Sequence, residues 1–215
     1  MNDARRLDHE LLRLVVITDG RGDLVRLEDI VRAALAGGAR CVQLREPHWT
    51  ARATWNACER LRPLFDAARA LLFVNDRIDV AATGVAHGVQ IGHKSLPPAI
   101  ARQLLGDTAF VGFSAHDQRE IDEAAAASCD FVLLSPVWPT ESKPGLPHLG
   151  EGRASALTAT AGLPVVWLGG VTTERAERAN MQPTGRRPIG VAVRGAVMHA
   201  TDPRDAVVAL LRAFG

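Results

Sequence analysis

The chain has 215 residues, 47% of them apolar and 23% charged, with a formal net charge of +1. This allows one domain with a full core, or two small ones, in an ordinary globular protein. The balance excludes both an extended basic field for nucleic acid and an acidic tail, and no apolar run approaches membrane-spanning length.

The N-terminus, MNDARRLDHE, has no apolar targeting core, so the expected location is the cytoplasm. Cys41, Cys58 and Cys129 form no CxxC pair, and their odd number fits buried thiols in a reducing compartment. The seven histidines fall in no metal-ligand spacing.

Leu14 to Thr18 reads as a short buried strand ended by Asp19-Gly20. A helical pattern at Leu27–Leu35 stops at Gly37-Gly38. Cys41–Arg45 is a second strand whose alternation puts Gln43 and Arg45 on one face. A long helix pattern runs from Thr50 to about Ala70, and Leu71–Val74 is strand three, ending in Asn75-Asp76. Val89–Ile91 ends at Gly92, with Leu96–Leu105 as its helix and prolines tolerated in the first turn.

Phe110–Phe113 leads to Ser114 and His116, and Asp117 caps a helix reaching Ser128. Phe131–Leu134 is strand six and feeds a loop braced by prolines at 136, 139, 144 and 147. Within that loop Thr140, Ser142 and Lys143 supply two hydroxyls and a cation. Ala154–Ala161 is helical, Pro164–Leu168 is strand seven, and Thr172 or Thr173 caps the next helix. Ile189–Val193 is strand eight, and a helix from about Pro203 to Phe214 closes the chain.

Eight strands, each with a helix-compatible follower, predict an α/β fold of the (β/α)8 TIM-barrel type, one domain over residues 1–215. An open doubly wound sheet is the alternative, though no GxGxxG follows the first strand. In a barrel the strand C-termini converge on one mouth. The residues there are Thr18-Asp19, Gln43 with Arg45, Asn75-Asp76, Gly92, Ser114 with His116, the Thr140 loop, Gly169-Gly170 and Arg194-Gly195. Gly169-Gly170 and Arg194-Gly195 follow strands seven and eight, the usual phosphate position of barrel enzymes, so a phosphorylated small molecule is the expected ligand.

The segments VITD, VQLRE, FVNDRIDVA, GVQIG-HKSLP, VGFSAH, LLSPVWPTESK, PVVWLGGV and GVAVRGAV, in this order and spacing, resemble the thiamine phosphate synthase / TenI family. The resemblance runs from Val16 to about Ala196. It implies a barrel binding thiazole phosphate on the glycines after strands seven and eight. In synthases the same mouth also takes a pyrimidine methyl diphosphate with Mg²⁺, and the rings are joined with loss of pyrophosphate. Carried over, Gln43 would face the pyrimidine, and Arg45, Asn75, Ser114 and Lys143 would hold the pyrophosphate. Asp76 would be a Mg²⁺ ligand, Thr140 and Ser142 would touch the thiazole side chain, and Gly170 with Gly195 would take its phosphate, beside the Gly169 and Arg194 already placed there by their position after strands seven and eight.

Two departures from the synthase pattern stand out: Pro47 replaces a lysine, and Ser95 replaces a second Mg²⁺ carboxylate. Both losses weaken preparation for a departing pyrophosphate. That favours a TenI-like tautomerase working by proton transfer, without a firmly implied cofactor. TenI's histidine is Pro136 here, so His116 is the substitute acid–base, joined by Lys143 and Arg45. A Mg²⁺-dependent synthase is the alternative, and a non-catalytic binder of thiamine-pathway compounds the third reading. Trp49, Trp55 or the C-terminal helix could lie in a homo-oligomer interface. Neither nucleic acid nor a membrane is expected as a partner.

Overall fold

The computed structural model describes residues 6–140, 145 and 147–215. Its strands are β1 (Leu14–Ile17), β2 (Cys41–Leu44), β3 (Leu71–Asn75), β4 (Gly88–Ile91), β5 (Phe110–Ala115), β6 (Phe131–Leu134), β7 (Val165–Leu168) and β8 (Gly190–Val193). They pair in parallel in chain order, and β8 closes onto β1 with Leu14 beside Val191 and Val16 beside Val193. That closing pair excludes the open sheet.

A barrel strand is buried on both faces, which is why these segments read as nearly unbroken apolar runs. Alternate residues serve two cores. Val15, Ile17, Cys41, Phe73, Phe110, Phe131, Leu133, Val166 and Ala192 fill the barrel, with Leu7 and Leu12 joining them ahead of β1. Val16, Val42, Leu72, Val89, Val111, Val132 and Val191 belong instead to the larger cluster shared with the helices.

Glycines in β4 and β5 follow from the inner packing. Phe73 and Phe131 meet edge to face, 5.5 Å between centroids. A Cβ at Gly88 would lie 2.5 Å from the Phe73 ring, and one at Gly112 would lie 2.5 Å from the Phe131 ring. No side chain fits at either place.

Outside the barrel run α1 (Leu24–Ala36), α2 (Ala51–Ala68), α3 (Ile78–Ala81), α4 (Pro98–Leu105), α5 (Gln118–Ala126), α6 (Gly150–Thr160), α7 (Thr173–Asn180), α8 (Gly195–Met198) and α9 (Pro203–Phe214). Side-chain oxygens of Asp23, Thr50, Asp117, Thr172 and Asp202 cap α1, α2, α5, α7 and α9. The Asp23 cap starts α1 three residues before the sequence pattern does, and α6 begins four residues before Ala154. The short helices α3 and α8 are too brief for a periodic signal.

All three cysteines are buried and free. Burial pushes the Cys58 and Cys129 thiols up to about 12, and Cys41 higher still. Trp49 and Trp55, suggested as interface residues, are partly buried and pack against the core. Leu96, Ile100 and Leu104, on and just before α4, are exposed instead. Among the described residues, no helix is long and apolar enough to cross a membrane.

Candidate active site at the barrel mouth

The strand C-termini all open on one rim, where the inward-facing residues change from apolar to polar. Register explains how. Asn75 of β3 sits beside Gln90 of β4, and Gln90 sits beside Gly112 of β5. Gln43, Asn75, Gln90 and Ser114 therefore form a top layer above Phe73 and Phe131.

Hydrogen bonds join these residues in two separate sets. Gln43 Nε2 donates to Asn75 Oδ1 at 2.7 Å, and Asn75 Nδ2 donates to Asp76 Oδ2 at 2.6 Å. Ser95 Oγ donates to Asp76 Oδ1 and accepts from Gly92 N at 3.2 Å. Gln90 Nε2 donates to Ser114 Oγ at 3.1 Å. The Oε1 atoms of Gln43 and Gln90 are buried without a partner. Buried acceptors are normally satisfied, and the Gln90 acceptor is packed against Gly112, where a Cβ would lie 2.2 Å from it. Gln43 is legible from the sequence as a mouth residue, whereas Gln90 was not foreseen. Its signal was a lone polar residue between Val89 and Ile91, which alternation places on the inner face.

Asp76 adopts φ 59°, a left-handed conformation that aspartate tolerates better than most residues. It does not cap α3, whose N-cap residue is Arg77. Its carboxylate is turned toward Ser95 instead.

Arg45 follows β2. Its backbone N donates to Thr18 Oγ1 at 2.8 Å, which donates in turn to the buried Glu46 at 2.7 Å. Glu46 also accepts from Gly20 N and Gly22 N at 3.3 and 2.8 Å. In the VQLRE segment, then, the glutamate latches the loop after β1. Among the described residues, the Arg45 guanidinium makes no hydrogen bond or ion pair. Pro47 is exposed and its ring faces Gly20.

The other side of the mouth is built from β6–β8. Val137 N and Trp138 N donate to Leu168 O and Gly169 O at 2.9 and 3.2 Å, tying the loop after β6 to the end of β7. A Cβ at Gly170 would lie 2.2 Å from Pro139 O, and Gly170 itself has φ 67°. Gly169, at φ 100°, is pressed against Pro136 in the same way. The double glycine is therefore demanded by backbone contact as well as by any anion. It also lies upstream of the helix, since Thr172 is the N-cap of α7. The helix N-terminus at the mouth belongs to α8, with Arg194 as N-cap and Gly195 as first residue. Arg194 Nε is buried without a partner. Arg175, not foreseen from sequence, donates to Gly170 O and lies 5.9 Å from the Trp138 ring centroid.

Thr140 ends the described part of its loop, and Ser142 and Lys143 lie outside the described residues. His116 is on the rim, with Nδ1 3.0 Å from Glu120 Oε2 and 3.4 Å from His93 Nε2. His93, His116 and Glu120 thus form a group of metal-ligating type that histidine spacing alone does not reveal: Glu120 is four residues after His116, and His93 joins them because β4 and β5 are neighbours.

A family model described as thiamine monophosphate synthase matches residues 14–196. The chain belongs to this family. It is 38% identical over 204 residues to a putative thiamine-phosphate synthase of Geobacter sulfurreducens, covering 92% of each chain. With the thiamine-phosphate synthase of Vibrio campbellii it shares 34% over 201 residues, 93% of this chain and 96% of that one. The solved thiamine phosphate pyrophosphorylase of Pyrococcus furiosus matches with a TM-score of 0.84 at 31% identity, covering 96% of both chains. Membership in the thiamine phosphate synthase family agrees with the barrel and with the resemblance drawn from the motifs. The tautomerase preference is weakened, because these named relatives are synthases or a pyrophosphorylase.

Proposed function

We propose that this protein is a thiamine phosphate synthase, joining a hydroxymethylpyrimidine diphosphate to thiazole phosphate with release of pyrophosphate. The observation that carries the reading is the retained pyrimidine-side layer. Gln43 is buried and bonded to Asn75, Gln90 is buried and bonded to Ser114, and Gln43 Oε1 has no hydrogen-bond partner among the described residues. A tautomerase that handles only thiazole phosphate has no use for such a layer. The named synthase relatives support the same choice.

In this reading the amino group of the pyrimidine donates to Gln43 Oε1. Arg45, with no side-chain partner among the described residues, takes the diphosphate together with Ser114 and the loop cation Lys143. Thr140 and Ser142 meet the thiazole side chain, whose phosphate rests on the Gly170–Gly195 side near Arg194. The thiazole nitrogen forms a bond to the pyrimidine methylene as that carbon's bond to pyrophosphate oxygen breaks. Preplaced cations meet the charge gathering on the leaving group, and their removal costs a large share of the rate.

The donor set around Asp76 fits Mg²⁺. That ion binds through one or two carboxylates plus substrate phosphates, so Asp76 with a diphosphate is sufficient even with Ser95 in place of a second carboxylate. Asp76 would hold the ion, with the Ser95 hydroxyl beside it, and the chemistry a bound Mg²⁺ would supply is charge neutralisation at the pyrophosphate. We place the enzyme in the cytoplasm, with these two phosphorylated compounds as its ligands.

The test is direct. Protein supplied with both substrates and Mg²⁺ is expected to form thiamine phosphate catalytically, and to slow when EDTA removes the metal. Absence of product under these conditions, with interconversion of thiazole carboxylate phosphate isomers instead, makes the protein a tautomerase. Binding of thiazole phosphate with neither reaction makes it a binder.

A further inference from the structure

One cluster of metal-ligating side chains has no task in the coupling reaction. His93 follows β4, His116 follows β5 and Glu120 lies in the first turn of α5. We propose that His93, His116 and Glu120 bind a divalent transition-metal ion of the zinc type, at a site on the β4–β5 rim distinct from Asp76.

Geometry is the first support. His93 Nε2 is 3.4 Å from His116 Nδ1 and 3.3 Å from Glu120 Oε1, and His116 Nδ1 is 3.0 Å from Glu120 Oε2. Zinc bonds to nitrogen and carboxylate oxygen are about 2.0–2.2 Å, which in a tetrahedron puts ligand atoms about 3.3 Å apart. The two imidazole nitrogens are already at that spacing, and one ligand atom from each of the three groups lies within 4.8 Å of the others, so a small side-chain adjustment brings one Glu120 oxygen onto a shared ion. Their chemistry is the second support: two imidazoles and one carboxylate suit zinc, cobalt or nickel, whereas Mg²⁺ takes an oxygen shell. His93 is exposed, so the fourth position opens to water.

A plain helix cap is the competing explanation. Asp117 accepts from Glu120 N at 3.0 Å, and Glu120 Oε2 accepts from His116 N at 2.7 Å, which is close to a capping box. Capping accounts for Oε2. It does not account for Oε1, which meets His93 from the loop of another strand. Glu120 is only 7% exposed. Its one arginine neighbour, Arg119 at 3.5 Å from Oε1, has a side chain 74% exposed and gives a screened, weak contact. A buried carboxylate needs charge compensation, and a divalent cation among the three groups supplies it.

The site would fasten the loop after β4 to the start of α5. That loop carries Ser95 against Asp76. The proposal does not rest on the coupling activity, and its test reads metal binding alone.

Untagged full-length protein, stripped with chelator, is titrated with Co²⁺ and then with Zn²⁺. Stoichiometric Co²⁺ is expected to give the strong visible absorption of a four-coordinate ion, and Zn²⁺ to abolish it by displacement. His93→Gln, at an exposed position that spares the fold, is expected to weaken Zn²⁺ binding about tenfold or more, as loss of a ligand group does. Asp76→Asn is expected to leave Zn²⁺ affinity unchanged. An unaltered metal-free melting temperature in His93→Gln shows that the loss is not one of folding. Absence of the visible band overturns the proposal. Equal Zn²⁺ affinity in wild type and His93→Gln also overturns it, since the ion then sits adventitiously on other histidines.

Discussion

Single residues at the mouth divide into those held by the protein and those left for a ligand. Glu46 is fully engaged by Thr18, Gly20 and Gly22, whereas its neighbour Arg45 has no described side-chain partner. Arg45→Met should therefore cost little stability. A hydrogen bond to a charged group contributes about 1.5–3 kcal/mol, so kcat/KM for the pyrimidine diphosphate should fall about 10- to 100-fold. Thiazole phosphate affinity should not change, and steady-state kinetics with calorimetry separates the two effects. Ser95 offers the complementary experiment. Its Oγ already touches the Asp76 carboxylate, so Ser95→Asp places a second carboxylate beside the first. Two such groups without a cation repel each other, and with Mg²⁺ they share it. The Mg²⁺ concentration for half-maximal activity should drop by about tenfold, the effect of roughly 1.4 kcal/mol. An unchanged Mg²⁺ requirement would mean that Asp76 is not the metal carboxylate.

Elements were far more legible in the sequence than the contacts between them. Most strands announce themselves as apolar runs because a barrel buries both strand faces, though β2 and β4 each carry a glutamine, and β6 has the bounds the run suggests. The caps Thr50, Asp117 and Thr172 carry local signals, whereas the early start of α1 at Asp23 and the one-turn helices α3 and α8 do not. Gln90, Glu120 and Arg175 carry weaker signals: Gln90 is one polar residue in a short strand, Glu120 follows His116 by four residues but meets His93 only across neighbouring strands, and Arg175 reaches back to Gly170 O. The glycines show the same limit. Gly170 looked like room for an anion, yet its Cβ would meet Pro139 O at 2.2 Å and its φ is 67°. Gly170→Val thus disturbs the loop whether or not phosphate binds there. Gly195 is the cleaner probe: its Cβ would find His199 Nδ1 at 3.4 Å as nearest neighbour, with no positive φ. Gly195→Val should keep the melting temperature close to wild type. It should weaken thiazole phosphate binding about tenfold, the loss of one charge-assisted hydrogen bond at the start of α8. Calorimetry showing equal affinity would move the phosphate elsewhere on the rim.

At the scale of the whole molecule, the closure of the barrel depends on joining the two ends of the chain, and Asp19 sits at that seam. It follows β1 and forms a two-toothed pair with Arg26 of α1, at 3.2 and 3.0 Å. Arg26 reaches on to Met198 O of α8 at 2.6 Å, and Arg21 and His199 approach the same carboxylate. Burial by itself would raise the Asp19 pKa. The hydrogen bonds and charge of Arg26, with the charge of Arg21, outweigh it and hold the carboxyl below its usual value. A depressed folded pKa means that the unfolded chain binds the proton more readily. The stabilisation is complete above the unfolded value of about 3.9 and is lost as pH falls through the lower folded value. Denaturant midpoints measured from pH 7 downward should therefore stay level until about pH 4 and then decline. Asp19→Asn removes the titrating group while retaining an oxygen for Arg26. Its midpoint should be lower at pH 7, and its decline in acid should be shallower than that of wild type. Other depressed carboxylates, Asp79 beside Arg77 among them, keep the slope from vanishing. If wild type and Asp19→Asn run parallel through the acid range, Asp19 does not couple protons to closure, and the seam is held by the β1–β8 ladder and its packing alone.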